Sequence, residues 1–155
     1  MSEAPILLLG GSGQLGWALA SLLALQAPLV APSRAELDLG DTAALRARLD
    51  ALRPQGIVNA AAYTAVDQAE TQTALAWRLN AELPGELARW AAAHGAWLIH
   101  YSTDYVFDGT GSRPWREDDA PHPVNAYGRS KRAGEEAVLE SGARALILRV
   151  SWLYG

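Results

Sequence analysis

The chain has 155 residues, 50% of them apolar, a formal charge of −4 and a pI near 5.3, so one domain with a sizeable core is expected. No basic run accompanies that charge, which argues against a nucleic-acid or anionic-membrane partner, and no apolar stretch approaches the roughly 20 residues of a membrane span. The absence of cysteine excludes disulfides, thiolate catalysis and cysteine-ligated metals, and His94, His100 and His122 lack ligand spacing, so no metal site is expected.

Met1 to Pro5 carries neither a charged leader nor a cleavage site, which predicts a cytoplasmic protein. Ile6 to Leu9 is a short apolar run that breaks into Gly10-Gly11-Ser12-Gly13-Gln14-Leu15-Gly16 and then into an amphipathic segment. This pattern predicts a buried parallel strand, a phosphate loop and the first helix of a βαβ unit. Gly10 permits the tight turn, Gly13 leaves the backbone open to a pyrophosphate, and Gly16 lets the helix lie close on the strand. The glycines are spaced by two residues each, unlike the commonest dinucleotide fingerprint, and a turn that binds nothing has the same glycine content.

Leu15, Ala18, Leu19, Leu22 and Leu23 recur at helical spacing, predicting a helix from Gln14 to about Leu25 that Pro28 stops. Leu29-Val30-Ala31 follows as a second strand with Ser33-Arg34 at its end. Arg34 stands where an acidic residue would bind the ribose of NAD; it either meets the 2′-phosphate of NADP or is a solvated surface arginine. Asp41 is the expected N-cap of a helix over Thr42 to Leu52, and Ile57-Val58-Asn59-Ala60 is the third strand. That strand runs into Ala60-Ala61-Ala62, whose small side chains leave room for a ligand or simply make a tight loop. Pro84 clashes with the carbonyl of Asn80 in any continuous helix between Asp67 and Gly95, so a kink or division is expected there.

Trp97 to Ser102 is the fourth strand, Thr110 to Ala126 a long surface excursion, Tyr127 to about Ser141 a helix closed by Gly142, and Leu146 to Val150 a fifth core strand. The alternation predicts an α/β fold, a Rossmann-like doubly wound parallel sheet, with residues 1–155 forming one NAD(P)-binding domain.

Tyr127 and Lys131 are four apart on the last helix and share a face. All but one of the 13 basic residues are arginine, and the one lysine is Lys131. An ammonium beside a phenol lowers its pKa and makes an acid/base pair; the plain alternative is a solvated Tyr and Lys. Thr103, at the end of the fourth strand, either aligns a substrate carbonyl with Tyr127 or caps the following turn. The glycine loop, Thr103 and Tyr-x-x-x-Lys stand in the right order for one site.

Five stretches carry a resemblance: Gly10 to Gly16, Asn59 to Asp67, Ser102-Thr103-Asp104-Tyr105-Val106-Phe107-Asp108-Gly109, Tyr127 to Lys131, and Arg149 to Gly155. Together they resemble the dTDP-4-dehydrorhamnose reductase family, extended short-chain dehydrogenase/reductases. The resemblance implies cofactor contacts from Gly10, Gly13, Gln14, Leu15, Gly16, Asp38, Leu39, Ala60, Ala61, Ala62, Tyr127 and Lys131. It implies catalysis by Thr103, Tyr127 and Lys131, with Asp104, Tyr105 and Trp152 at the nucleotide-sugar pocket. The implied reaction is reduction of the C4 ketone of dTDP-4-dehydro-L-rhamnose with NADPH, NADH being an alternative donor. Family members are about twice this length, so the chain resembles their amino-terminal half and lacks the carboxyl-terminal substrate part. A homodimer is compatible with the resemblance, but Ala18 falls where the family's metal-bridged dimers use an acidic residue, so no metal is carried over. A non-catalytic regulatory subunit resembling the methionine adenosyltransferase beta subunit, or a reductase or epimerase of another nucleotide sugar, is the alternative.

Overall fold

Four of the five strands are laid down before residue 104, and each after the first follows the end of a helix. A computed structural model of the chain describes residues 3–154. Met1, Ser2 and Gly155, part of the leader reading and of the last family stretch, lie outside the described residues. Strands β1 (Ile6–Leu9), β2 (Leu29–Val30), β3 (Gly56–Asn59), β4 (Trp97–Thr103) and β5 (Arg144–Val150) form one parallel sheet in the order β2-β1-β3-β4-β5. The connections reverse direction between β1 and β3, which opens a crevice above their carboxyl ends.

Helices α1 (Gln14–Leu23), α2 (Thr42–Leu52), α3 (Thr73–Trp77), α4 (Leu83–His94) and α5 (Ala126–Glu140) connect the strands. Leu7, Leu9, Ile57 and Leu98 face one side of the sheet and pack with Leu45 and Leu49 of α2, Leu87 and Trp90 of α4, and Val138 of α5. Ile6, Leu8 and Val58 face the other, where Leu19 and Leu23 of α1 cover them. The α1 face is therefore thinly covered, and Trp97, Ile99 and Tyr101 on it are only half-buried. No helix among the described residues is long and apolar enough to cross a membrane.

Several helix ends follow their chemistry. The Asp41 carboxylate accepts from the amides of Ala43 and Ala44 at 2.9 and 3.0 Å, the expected cap. At its other end α2 closes on Arg53 in a left-handed conformation, φ 47°. Helix α1 ends at Leu23, short of the expected Leu25 and well before Pro28, because the amides of Leu25 and Gln26 turn back onto the carbonyls of Leu22 and Leu23. The Pro84 expectation resolves as a π-helical turn, Arg78–Glu82, between α3 and α4. In it the Leu83 amide reaches back five residues to the Arg78 carbonyl, a wider ring that accommodates a proline lacking its own donor. The fifth strand needs correction. It is the sheet edge, starts at Arg144, and leaves Leu146 52% exposed, so it is not a core strand.

Candidate active site

At the crevice the first loop is built around backbone that tolerates no side chain. Gly10 has φ 80°, and a Cβ there would lie 2.6 Å from the Ala61 amide nitrogen. A Cβ on Gly16 would lie 2.1 Å from the Gly10 carbonyl oxygen, so α1 rests directly on the loop. The first helical bond runs from the Trp17 amide to the Gly13 carbonyl, which leaves the amides of Gln14, Leu15 and Gly16 without an intrahelical acceptor. Gly13 offers no side-chain cap to them. Uncapped donors at a helix start are the groups that would meet a phosphate.

Gly10 to Leu15, Arg34, Asp38, Leu39, Ala60 to Ala62, Thr103 to Tyr105, Tyr127, Lys131 and Trp152 all line one cleft of about 790 Å³. Every candidate residue named from the sequence is there except Gly16, which stands behind the loop and sets its height rather than facing the cleft. Arg34 is exposed at the cleft wall, and beside it the Glu36 carboxylate folds back onto the Ser33 amide and hydroxyl at 2.7 and 2.8 Å. Trp152 lines the mouth with 79% of its surface exposed.

Thr103, Tyr127 and Lys131 are buried at the cleft floor. Thr103 caps the following turn, its hydroxyl accepting from the Tyr105 amide at 3.2 Å, and the same hydroxyl faces the Tyr127 phenol closely enough to lower its pKa. Tyr105 packs edge-on against Tyr127, ring centroids 5.6 Å apart, and a Cβ on Gly128 would sit 2.3 Å from the Tyr105 carbonyl oxygen. Helix α5 thus docks tightly enough to fix the phenol, and Asn125 caps it through the Gly128 amide at 2.7 Å.

Electrostatics correct one expectation. Burial, the largest influence, raises the Tyr127 pKa above its usual value; Thr103 opposes this, and Asp104 and Tyr105 add to it. Lys131 is not among these influences, and its ammonium donates to the Tyr101 carbonyl. Burial brings Lys131 itself down from 10.5 to about 8, with the Glu135 carboxylate pulling it back up. The unfolded chain therefore binds more protons than the folded one between about 8 and 10.5, and stability from this group rises with pH across that window. Relative to Lys131→Met, the parent chain is expected to gain about 3 kcal/mol between pH 7 and pH 10.5. Urea denaturation of both proteins at the two pH values checks this.

Sequence reasoning passed over the residues that hold this floor in place. Asn80, fully buried in the π-turn, accepts from the Tyr63 amide and donates to the Tyr63 carbonyl, both at 2.9 Å, and donates to Ser130 at 3.1 Å. It ties the small-residue turn after β3 to α5. Arg78, in the same π-turn, grips Glu86 at 2.8 and 3.0 Å and donates to the carbonyls of Leu39 and Gly40 at the cleft wall. The signal for Asn80 was Pro84 four residues on; nothing in the sequence pointed Arg78 at Leu39. Asn59 and His100 are register partners and meet at 3.2 Å beneath the cleft, and burial, then Lys131, keeps His100 well below its usual pKa.

The family model described as RmlD substrate binding domain matches residues 4–155. The chain belongs to this family. It is 46% identical over 153 residues to the dTDP-4-dehydrorhamnose reductase of Salmonella typhimurium, covering 96% of this chain and 51% of that protein. Among solved structures, the dTDP-4-dehydrorhamnose reductase of Clostridium acetobutylicum superposes with a TM-score of 0.93 at 37% identity, over 97% of this chain and 54% of that one. The Bacillus anthracis enzyme, solved in complex with NADP, superposes with a TM-score of 0.92 at 37% identity, over 99% and 55%. The chain thus spans about half the length of the RmlD-family relatives it matches, and its Rossmann-like sheet is theirs.

Proposed function

We propose that residues 1–155 act as an NAD(P)-binding domain and supply the cofactor and catalytic half of a nucleotide-sugar reductase. The reaction is reduction of the C4 ketone of dTDP-4-dehydro-L-rhamnose to dTDP-L-rhamnose. The observation that carries it is convergence: the glycine loop, Thr103 from the end of β4, and the Tyr127–Lys131 pair of α5 arrive from three separate stretches at one cleft. The residues present fit a dinucleotide, since the uncapped amides of α1 and the glycine-rich loop can receive a pyrophosphate. Asp38 and Leu39 would lie near the adenine, Ala60 to Ala62 would contact the cofactor, and Tyr127 with Lys131 would hold the nicotinamide ribose. NADPH, when bound, supplies the hydride, and NADH is an alternative donor.

Thr103 would receive the ketone oxygen and hold it beside Tyr127, whose phenol gives its proton to that oxygen. A phenol raised above its usual pKa is fully protonated at neutral pH and so ready to donate. Asp104, Tyr105 and Trp152 would meet the sugar at the open side. The test is NADPH consumption with dTDP-4-dehydro-L-rhamnose after binding has been confirmed by tryptophan fluorescence. Turnover supports an active half; binding without turnover assigns the missing function to the rest of the relatives' length or to a binding role.

For the cofactor choice, Arg34→Ala is expected to weaken NADPH by about tenfold, the loss of one charge-assisted contact to the 2′-phosphate. NADH affinity stays within about twofold. Fluorescence titrations with both cofactors read the difference, and equal losses would assign Arg34 to the solvated surface.

A further inference from the structure

Glu135 lies one turn beyond Lys131 on α5, and it is 1% exposed. Its carboxylate accepts from Arg149 Nε and Nη2, both at 2.8 Å, and from Arg132 Nη1 at 3.1 Å. Arg149 comes from the end of β5, where its register partner is Ser102, and its guanidinium also lies 5.0 Å from the Phe107 ring centre. Two arginines therefore hold one deeply buried anion, and Lys131 stands one helical turn from it, within reach of its charge.

We propose that Glu135 is the positioning residue of Lys131: its carboxylate, locked by two arginines, is the counter-charge that keeps the ammonium protonated and seated on the Tyr101 carbonyl. The groups facing Lys131 leave no substitute. On α5 stand Tyr127 one turn before Lys131 and Glu135 one turn after it; from β4 come neutral His100 and the Tyr101 carbonyl; Arg132 and, from β5, Arg149 are engaged by Glu135, as is Ser102; Asp104, in the turn after β4, is exposed to solvent. Without Glu135 the remaining buried charges nearby are positive. Burial opposes the Glu135 carboxylate, but Arg149, Ser102 and Arg132 outweigh it and hold it below the usual carboxylate range, so it is ionised throughout the range in which Lys131 titrates. A plain ion pair joining α5 to β5 would fix the helix without affecting the proton on Lys131, and the two roles separate by experiment.

Because Lys131 is the one lysine in the chain, lysine labelled with carbon-13 at Cε gives a single resonance whose shift against pH titrates this group alone. The parent midpoint is expected near 8. Glu135→Gln lowers it by at least about one unit, a tenfold loss of proton affinity, and Glu135→Asp restores most of it. Arg149→Met moves it upward, since the carboxylate is freed from its nearest cation. A folded Glu135→Gln protein with an unchanged midpoint overturns the proposal. Should that variant fail to fold, the double variant Glu135→Gln with Arg149→Met, which removes both buried charges together, decides: a midpoint at least about one unit below that of Arg149→Met alone supports the proposal, and an equal midpoint overturns it. The consequence for cofactor ribose binding rests on the proposed function, but the resonance is read without cofactor, so each can fail alone.

Discussion

Gly16→Ala is expected to weaken NADPH binding at least about a hundredfold and to cost the fold about 3 kcal/mol. The methyl would lie 2.1 Å from the Gly10 carbonyl oxygen, 2.7 Å from its carbon and 2.8 Å from Gly11 Cα. All three are backbone atoms, so no side chain can swing aside. Gly10 has nowhere to retreat either, since it is pressed against Ala60 and Ala61 from the far side. Helix α1 must therefore lift from the loop, and its uncapped amides move away from the phosphate position. Gly13→Ala is the control: its methyl meets only the Gly10 carbonyl oxygen, at 3.4 Å, so it melts within about 1 kcal/mol of the parent while still obstructing the ligand. Thermal melting and NADPH titration of both variants separate the fold from the site.

Tyr127→Phe is expected to lower turnover by about 10²- to 10⁴-fold in any form of the chain that reduces dTDP-4-dehydro-L-rhamnose, with NADPH affinity and melting temperature unchanged. The ring is buried and packs edge-on against Tyr105, contacts a phenylalanine keeps. What it loses is the hydroxyl facing Thr103, and with it the proton for the ketone oxygen. Steady-state NADPH oxidation by parent and variant reads the loss. Near-normal turnover would remove Tyr127 from the chemistry.

Much of the scaffold was legible because its signals are local. Asp41 sits immediately before a periodic run and caps it; Thr42 to Leu52 is the observed helix. Pro84 announced a break, and the break became a π-turn, a form that periodicity cannot distinguish from a kink. The glycine loop and Tyr-x-x-x-Lys could be read from spacing, and the cleft collects all of these candidates but Gly16.

What escaped the sequence depends on where the chain meets itself. Leu146 to Val150 looks like core by composition, yet its position at the sheet edge is a property of strand order. The effect of Lys131 on Tyr127 was expected from a spacing of four on one helix face, but the Tyr101 carbonyl on a neighbouring strand captures the ammonium. Glu135 is one of several polar residues on α5 by sequence, and only the fold brings Arg149 of β5 against it.

The measurement to make first is a fluorescence titration of the 155-residue chain with NADPH, following energy transfer from tryptophan, Trp152 standing at the cleft mouth. A dinucleotide site predicts saturable one-to-one binding that Gly16→Ala weakens at least about a hundredfold. A folded parent chain that binds neither NADPH nor NADH at millimolar concentration would contradict it.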